Sequence, residues 1–376
     1  MRKLPLGIEP HLSPDASRPR RVLIVRIGAM GDVLHAMPAV AALRQLHPDW
    51  HIGWAVEPRW LPLLQVESDL SYATERGAAM PLVDRTYLAS TRAWKQRNFS
   101  RKTVLDISSL RRELRGEKFD LCVDMQGSIR SAVIGRMAGA KRFAGPAEPR
   151  EAPARWLYWQ QVRMRATHVV EQGCELLGAA VGEVLRPAKV ALPVDEFAER
   201  SCDALLAQVL PGGEAFAVIA PTAGWGAKQW PAERYGAVAA ELGRAGYRVL
   251  VNAASIEDPA AEAVLRASDG SAIALPCDVA QLIAFLRRAS LVIAGDTGPL
   301  HLAAALEIPV VGLFGPTDPA RNGPYGTRSR VLRHASSQRD HTRHPDPEHG
   351  LLQITTDEVA AAALELLHAE RDKVVL

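Results

Sequence analysis

The segment from Asp296 to Leu302, which reads Asp-Thr-Gly-Pro-Leu-His-Leu, has the composition of an anion-binding site. It follows an apolar run at residues 291–294, so the pattern predicts a buried strand that ends where a helix begins. The first N–H groups of a helix have no partner inside it, and the helix dipole places partial positive charge at the same end. Thr297 and Gly298 are therefore predicted to present N–H groups to an anion at the carboxyl edge of a parallel sheet.

A second candidate for anion binding is Lys228, in the loop at residues 221–231 that follows another apolar run. The loop is rich in glycine and other small residues, and it ends at the Trp-Pro pair that opens the next predicted helix. A lone Lys in such a loop is usually exposed to solvent, but beside residues 296–301 it would complete a diphosphate cradle. Asp296 would repel phosphate there unless its carboxylate points to a sugar hydroxyl or a backbone amide.

Asp32 follows a third strand-like run, at residues 22–27, and a loop that contains Gly28 and Gly31. The loop lacks the third glycine of the dinucleotide-binding fingerprint, so it is a weak match to a nucleotide-binding loop. Asp32 sits where a helix N-cap is expected, and Asp is among the preferred capping residues. Its place at the edge of a predicted sheet equally suits a catalytic base, and both interpretations stay open on these residues alone.

Positive charge is concentrated in one part of the chain, although the net charge is only +3. Residues 85–165 contain eighteen Lys and Arg against seven Asp and Glu, which predicts an anionic partner for one domain. Arg92, Lys95 and Arg97 flank Trp94 in this segment, as in a phosphate clamp, a nucleic-acid patch or a solvated face. No helix-turn-helix, RNA-binding or zinc-finger signature accompanies them, so nucleic acid is not the expected partner.

Composition predicts a cytoplasmic protein without a bound metal. The four cysteines are scattered without metal or redox spacing, as expected of buried thiols in a reducing compartment. His341, His344 and His349 lie among acidic residues, but nothing in the pattern fixes their spacing, and a solvated loop is the favoured interpretation. No apolar run is long enough to span a bilayer, and the first twenty residues lack the apolar core of a signal peptide.

Apolar strands alternate with helical patterns along the chain, which predicts an α/β protein with doubly wound parallel sheets. The predicted strands cover residues 22–27, 52–56, 121–124, 216–220, 248–252, 291–294 and 310–314. The predicted helices cover residues 33–46, kinked or restarted at Pro38, and residues 129–138, 169–177, 194–208, 232–245, 259–267, 279–288, 300–306 and 356–368. Because both halves contain strands that end in Gly turns, we expect two α/β domains facing each other across a cleft.

The stretch at residues 187–193 has the composition of an interdomain linker, with a proline at each end. It separates a predicted N-terminal domain at residues 21–186 from a predicted C-terminal domain at residues 194–355. A disordered leader is predicted at residues 1–20, and a C-terminal helix and tail at residues 356–376.

Five motifs, taken together and in order, resemble those of the ADP-heptose:lipopolysaccharide heptosyltransferases. They are Gly31-Asp32-Val33-Leu34-His35, Asp124-Met125-Gln126-Gly127, Lys228-Gln229-Trp230-Pro231, Asp296-Thr297-Gly298-Pro299-Leu300-His301 and Phe314-Gly315-Pro316-Thr317-Asp318. The resemblance runs from about Arg21 to Gly326. Within the family, residues 54–57, 126–132 and 150–151 are most similar to heptosyltransferase I, which adds the first heptose to Kdo-lipid A.

The resemblance implies a GT-B fold, in which two Rossmann-like domains hold the active site between them, with no metal or other cofactor. It implies that Asp32 is the general base of an inverting transfer and that Lys228 stabilises the leaving diphosphate. ADP-heptose would then be the donor substrate. The donor-binding residues implied are Thr222, Lys228, Glu257, Asp296, Thr297, Gly298 and His301, with either Glu257 or Asp258 at the ribose.

The resemblance also assigns a role to the basic segment. Arg92, Lys95, Arg97 and Arg150 are similar to the family's acceptor-binding residues, which meet the phosphates and carboxylates of Kdo-lipid A. The implied location is the cytoplasmic face of the inner membrane, with peripheral attachment and no transmembrane segment. Residues 223–227 depart from the family pattern, in which hydroxyl-bearing and charged residues often precede the lysine. Two alternatives stay open: heptosyltransferase II or another core glycosyltransferase of this fold, and a nucleotide-sugar-binding module without catalysis.

Overall fold

Two six-stranded sheets form the framework of the protein in a computed structural model, which describes residues 20–67, 76–97, 100–253, 255, 257–340, 342 and 344–374. Apart from Arg20, the predicted leader lies outside the described residues. The first sheet is parallel throughout, with the order β3-β2-β1-β4-β5-β6. Its strands are β1 (Arg21–Val25), β2 (His51–Val56), β3 (Arg85–Leu88), β4 (Leu121–Asp124), β5 (Arg142–Pro146) and β6 (Gln160–Val162).

The second sheet repeats this plan, with the order β12-β11-β10-β7-β8-β9 and all strands parallel. Its strands are β7 (Phe216–Ala220), β8 (Arg248–Ala253), β9 (Ala272–Pro276), β10 (Leu291–Gly295), β11 (Val310–Leu313) and β12 (Ser329–Leu332). The strand order reverses between β1 and β4 in the first sheet and between β7 and β10 in the second. Open α/β sheets bind ligands outside the carboxyl ends of the strands at such a reversal.

Helices cover both faces of each sheet. They are α1 (Met30–Leu46), α2 (Thr91–Arg97), α3 (Arg101–Gly116), α4 (Ile129–Ala138), α5 (Val169–Val181), α6 (Glu196–Val209), α7 (Ala232–Arg244), α8 (Pro259–Ala267), α9 (Val279–Arg288), α10 (Gly298–Ala305), α11 (Pro319–Asn322), α12 (His349–Gln353) and α13 (Thr356–Val374). None of the helices in the described parts of the chain is both long and apolar enough to cross a membrane.

Helix α1 runs through Pro38 without a break, so a restart of the helix at this proline is wrong. Proline removes one hydrogen bond of a helix and normally disrupts it. Here the helix is buried on most sides, with Val33, Met37 and Val40 among its fully buried residues. Packing against α5 and α10 therefore outweighs the local cost of the proline.

Three clusters of buried apolar side chains hold the layers together. One lies between the first sheet and helices α3 and α4, and includes Leu110 and Phe143. Another lies between the second sheet and α7, α8 and α13, and includes Ile293 and Leu366. The third starts under the first sheet, at α1 and α5, and continues into the second sheet at α9 and α10. The C-terminal helix α13 is thus packed onto the second sheet.

The structure confirms the predicted alternation of strands and helices. The predicted ranges 121–124, 129–138, 216–220, 259–267 and 279–288 match in full, and the other predicted elements differ at their ends. Five strands (β3, β5, β6, β9 and β12) and the helices α2, α3, α11 and α12 were not predicted from the sequence. Residues 187–193 lie in neither a helix nor a strand, and the domain boundaries stay a prediction.

Candidate active site

Three of the predicted catalytic and donor-site residues lie at the two strand-order reversals. Asp32 comes after β1, Lys228 after β7 and Asp296 after β10, all beyond the carboxyl ends of their strands. The start of α1 packs against the start of α10, so the two reversals face each other across the cleft between the sheets. This is the arrangement that the sequence predicts for its two Gly-turn edges.

Two glycines allow the starts of α1 and α10 to approach this closely. A Cβ atom on Gly31 would lie 2.7 Å from Cδ2 of His301, and one on Gly298 would lie 2.4 Å from Sδ of Met30. Such separations are too short for real Cβ contacts, so a side chain at either position would force His301 or Met30 to shift. Gly31 belongs to the first sheet's domain and Gly298 to the second's, so each domain carries one of these contacts.

Asp32 is the third residue of α1 and not its N-cap, which is Ala29. The expectation of an N-cap at Asp32 is therefore wrong, although the side chain still serves the helix start. Its Oδ2 accepts a hydrogen bond from Ala29 N at 2.9 Å, and its Oδ1 accepts one from Arg26 Nη2 at 2.8 Å. The Arg26 Nε atom also donates to the Asp32 carbonyl oxygen at 3.0 Å. These bonds fix the orientation of the carboxylate.

The carboxylate of Asp32 keeps the capacity to act on a substrate. A carboxylate offers about four lone-pair positions, and the bonds from Arg26 and Ala29 use two of them. The Asp32 side chain is 35% exposed, so a hydroxyl group in the cleft can reach it. Helix capping and proton abstraction are therefore compatible roles for this side chain.

A chain of four polar side chains crosses from the second domain into the first. Lys228 Nζ pairs with Asp296 Oδ2, and His301 Nε2 lies 2.9 Å from Asp296 Oδ1. The other ring nitrogen of His301, Nδ1, lies 3.1 Å from Nε2 of His35 on α1. The side chains of Asp296 and His301 are only 6% and 5% exposed. Because a carboxylate only accepts, His301 Nε2 donates to Asp296, and a neutral His301 then accepts a bond from His35 at Nδ1.

The charges along this chain are set by burial and by the neighbouring groups. Burial alone would raise the pKa of Asp296, but the hydrogen bond from His301 and the positive charge of Lys228 hold that pKa below its ordinary value. Burial and the neighbouring His301 lower the pKa of His35 well below its ordinary value. Asp296 is therefore ionised and His35 neutral near pH 7, and both states are compatible with these hydrogen bonds.

These contacts show how Asp296 and Lys228 are paired within the protein. The carboxylate of Asp296 contacts both Lys228 and His301, so part of its charge is neutralised there. Lys228 is not a solvated surface lysine, because its side chain is only 16% exposed. Its Nζ lies 5.3 Å from the ring centroid of Trp225, in the stretch that departs from the family pattern.

The other predicted donor-site residues lie along the same edge of the second sheet. Thr297 is the N-cap of α10 and directs its hydroxyl to the Gly295 carbonyl oxygen, 3.2 Å away, leaving the first turn of α10 uncapped by that side chain. Thr222 follows β7 and is exposed. Asp258 caps α8 by accepting from Ala260 N at 2.9 Å, whereas the neighbouring Glu257 is exposed. The contacts therefore favour Glu257 over Asp258 as a group free to meet a ligand.

The predicted acceptor residues Arg92, Lys95 and Arg97 lie on α2, beyond the carboxyl end of β3, and all three are exposed. The buried carboxylate of Glu57 anchors the start of this helix, since it accepts from Thr91 Oγ1 at 2.7 Å and from Arg92 N at 3.2 Å. Because the anchor uses the backbone of Arg92, the guanidinium group of Arg92 stays available.

One further arginine, Arg130, and the predicted Arg150 and Arg97 lie at this edge of the first sheet. Arg130, at the start of α4, donates to Thr91 Oγ1 at 3.1 Å, so a fourth cation lies beside α2. Arg150 is exposed, and its backbone N would lie 3.1 Å from a Cβ atom on Gly127, in the loop after β4. Arg97 pairs with Asp106 at 3.8 Å, which reduces its share in any anion site.

Four residues with contacts to the site were not identified by sequence reasoning. Arg26, Glu57 and Arg130 orient groups that were predicted, and His35 extends the buried chain across the cleft. A usable signal existed for each. Arg26 and Glu57 are charged residues at the ends of apolar strands, Arg130 lies in the segment 126–132 that resembles heptosyltransferase I, and His35 lies one turn of helix after Asp32.

The acidic and histidine-rich loop before α13 forms contacts within the protein. His344 Nε2 lies 3.0 Å from Asp340 Oδ2, and Glu348 caps α12 by accepting from Leu351 N at 2.8 Å. His341 lies outside the described residues. Among the residues that the structure does describe, no group of three or more His, Cys, Asp or Glu side chains is placed to hold a metal ion.

Residues 107–351 match the family model described as glycosyltransferase family 9 (heptosyltransferase). The chain belongs to this family. Lipopolysaccharide heptosyltransferase 1 of Salmonella typhimurium is 28% identical over 310 residues, which cover 81% of this chain and 92% of that protein. Lipopolysaccharide heptosyltransferase 1 of Pseudomonas aeruginosa is 29% identical over 315 residues, which cover 83% of this chain and 82% of that protein.

The fold of this family 9 glycosyltransferase is also found in solved structures. The structure of Escherichia coli heptosyltransferase WaaC with ADP is 25% identical, with a TM-score of 0.71, and the match covers 92% of this chain and 99% of WaaC. The predicted GT-B fold of two parallel-sheet domains is confirmed, as is the predicted enzyme class.

Proposed function

We propose that the protein transfers heptose from ADP-heptose to the Kdo of Kdo-lipid A, with inversion at the anomeric carbon. The observation that carries this proposal is the position of Asp32 at the start of α1, the helix that contacts His301 of the chain Lys228–Asp296–His301 through Gly31 and His35. A general base from the first domain then faces a cation and a helix start from the second. The extended similarity to proteins named lipopolysaccharide heptosyltransferase 1 supports the choice of sugar and acceptor.

In the proposed reaction Asp32 takes a proton from an acceptor hydroxyl group while the oxygen of that hydroxyl attacks the anomeric carbon of the donor heptose. The new glycosidic bond forms on the face opposite the departing ADP, and the bond from the anomeric carbon to the diphosphate oxygen breaks. Arg26 and Ala29 N hold the carboxylate in one orientation, so little reorganisation is needed when the hydroxyl arrives.

The leaving diphosphate gains negative charge as that bond breaks, and the second domain supplies positive groups for it. Lys228 is held at the cleft by Asp296, and the first turn of α10 offers N–H groups at the positive end of a helix dipole. Asp296 thus positions the lysine and does not face the phosphates unshielded. Thr222, Glu257, Thr297, Gly298 and His301 are proposed to complete the donor site, with Glu257 at the ribose.

The acceptor is proposed to bind the first domain through Arg92, Lys95, Arg97 and Arg150. These cations are proposed to bind the phosphates and carboxylates of Kdo-lipid A. Because the lipid part of the acceptor is embedded in the membrane, the transfer would take place at the cytoplasmic face of the inner membrane. With the predicted domain boundaries at residues 21–186 and 194–355, acceptor and donor would bind separate halves, and the charge excess in the first half supports this division.

The decisive experiment incubates the protein with ADP-heptose and Kdo2-lipid A and measures the mass of the lipid product. One heptose increment, with matching ADP release that depends on acceptor, is the expected result. An increment only on an acceptor that already carries one heptose would replace the proposal with a heptosyltransferase II activity. ADP binding without any acceptor-dependent release would leave a nucleotide-sugar-binding module.

A further inference from the structure

One face of the first domain combines exposed apolar side chains with a dense set of cations. Helices α3 and α4 and the 3-10 helix Ala152–Leu157 form a layer over the first sheet. Their inward residues, such as Leu114, Ile134 and Ala154, are buried in the apolar cluster beneath. We call the outward residues of these three elements, together with Trp159, the outer face.

The apolar part of the outer face is dominated by two tryptophans. Trp156 is 74% exposed and Trp159 is 58% exposed, although Trp is on average a well-buried residue. Other large apolar side chains on the same layer are exposed as well: Val104, Leu105, Ile129 and Val133. Single exposed apolar residues need no explanation, but several on one layer indicate a surface that is covered in function.

The charged part of the outer face is strongly positive. The three elements carry eight Lys and Arg, all exposed, against two acidic residues, which leaves six positive charges. The cations are Arg101, Lys102, Arg111, Arg112, Arg115, Arg130, Arg136 and Arg155. The guanidinium group of Arg136 lies 4.7 Å from the ring centroid of Trp159, so one of these cations is in direct contact with an exposed aromatic ring.

This mixture fits the headgroup region of an anionic bilayer. Tryptophan prefers the boundary between water and hydrocarbon, where its ring is in the apolar phase and its N–H stays hydrated. Lys and Arg near the surface are attracted to anionic lipids, and their stems can lie along apolar surface. A protein partner would favour an apolar centre with few charges, and cations are here interspersed with the apolar side chains.

The outer face is continuous with the proposed acceptor site. Arg130 belongs to the outer face and donates to Thr91 at the start of α2, the helix that carries the proposed acceptor-binding cations. A bilayer against the outer face would therefore border the entrance used by a lipid-linked acceptor.

We propose that the outer face docks the protein onto anionic phospholipid membranes, with Trp156 and Trp159 inserted at the headgroup level. The inference that docking brings the enzyme to its lipid-linked acceptor rests on the proposed function. The inference that the outer face binds membranes does not.

The test measures co-sedimentation of the protein with vesicles that contain no acceptor. Vesicles of phosphatidylcholine mixed with phosphatidylglycerol are compared with vesicles of phosphatidylcholine alone. The wild type should bind the anionic vesicles at low salt and dissociate from them at high salt. The double variant Trp156→Ser with Trp159→Ser should bind about tenfold more weakly or worse, because it buries less apolar surface. The charge-reversed variant Arg111→Glu with Arg112→Glu should also bind weakly.

The matched control is Phe197→Ser, since Phe197 is 72% exposed but lies on α6 of the second domain. It should bind vesicles like the wild type. Thermal unfolding checks that the variants are folded. If the tryptophan variant is unfolded, the vesicle binding of the charge-reversed variant tests the proposal instead. Transfer to a water-soluble, delipidated acceptor should stay unchanged in the tryptophan variant, while transfer to vesicle-embedded acceptor falls.

Three outcomes would overturn the proposal. One is vesicle binding that is equal in the wild type and in both sets of variants. Another is equal binding to zwitterionic and anionic vesicles. The third is binding to a single-stranded polynucleotide, without vesicle binding, that charge reversal abolishes. Absence of heptose transfer together with tryptophan-dependent vesicle binding would refute the proposed function and leave the docking face intact.

Discussion

Replacement of Asp32 by Ala should separate the two roles that its contacts allow. Loss of a general base costs about a hundred- to ten-thousand-fold in rate. At roughly 1.4 kcal/mol for each factor of ten, this raises the barrier by about 3 to 5 kcal/mol. The stability cost should be smaller. The bond to Ala29 N is a helix-start contact worth about 1 kcal/mol, and the partly exposed pair with Arg26 adds at most about another.

The assay follows acceptor-dependent ADP release, together with ADP affinity by calorimetry and Tm by thermal unfolding. We expect kcat to fall at least about a hundredfold, ADP affinity to stay unchanged and Tm to drop by only a few degrees. Arg26 should remain in place in the variant, because it also donates to the Asp32 and Met125 carbonyl oxygens. Asp32→Asn should lose activity to a similar extent with a smaller change in Tm.

Asp195→Ala provides the matched control. Asp195 caps α6 by accepting from Phe197 N at 2.9 Å and Ala198 N at 3.1 Å, so its loss also costs one helix start. It should lower Tm comparably and leave kcat unchanged. If Asp32→Ala kept kcat within tenfold of the wild type while Tm fell as in Asp195→Ala, then Asp32 would be a structural carboxylate and the proposed mechanism would be wrong.

Lys228→Ala should weaken ADP binding and slow transfer together, because the lysine faces diphosphate charge before and during the reaction; unchanged calorimetry and unchanged kcat would contradict this. Asp296→Asn should lower the free energy of unfolding by about 3 kcal/mol near pH 7, since it leaves a nearly buried lysine without its counter-charge. Because the pKa of Asp296 is lowered on folding, this difference from the wild type should persist above about pH 5 and shrink as the pH falls below about 4, which urea titrations at both pH values would show. Combined Ala substitution of Arg92, Lys95 and Arg97 should raise the acceptor KM about tenfold and flatten its salt dependence, with the donor KM unchanged; equal acceptor KM values at low and high salt would contradict the clamp.

The parts of the fold that the sequence predicts well are those where burial dominates. Strands β4, β7 and β10 are covered on both faces, so their sequences are nearly continuous apolar runs. The edge strands β3 and β12 have one flank unpaired and contain polar residues such as Arg85 and Arg330, so no run marks them. Helix α3 was not predicted for another reason. Its buried stripe consists only of Thr103, Leu110 and Leu114, and the rest of the helix is rich in charged residues, so its apolar periodicity is weak.

The candidate active site likewise contains residues that a local sequence pattern predicts and contacts that it does not predict. Asp32, Lys228 and Asp296 could be predicted because each follows a strand at a Gly-rich turn, which is a local pattern. The bond between His35 and His301 joins residues 266 positions apart, and the pair of Lys228 with Asp296 joins residues 68 positions apart. Contacts of this kind depend on how two sheets pack, and no local spacing encodes that.

The apolar cluster that continues from α1 and α5 into α9 and α10 makes the two halves of this enzyme poor candidates for separate expression. Either half alone would expose apolar surface that is buried in the intact chain, and would tend to aggregate. Exchange of a whole domain with a relative would meet a second obstacle at Gly31 and Gly298, where one added methyl group from either parent collides with His301 or Met30. Chimeric enzymes built to change acceptor or donor should therefore carry α1 and α10 as a matched pair from one parent.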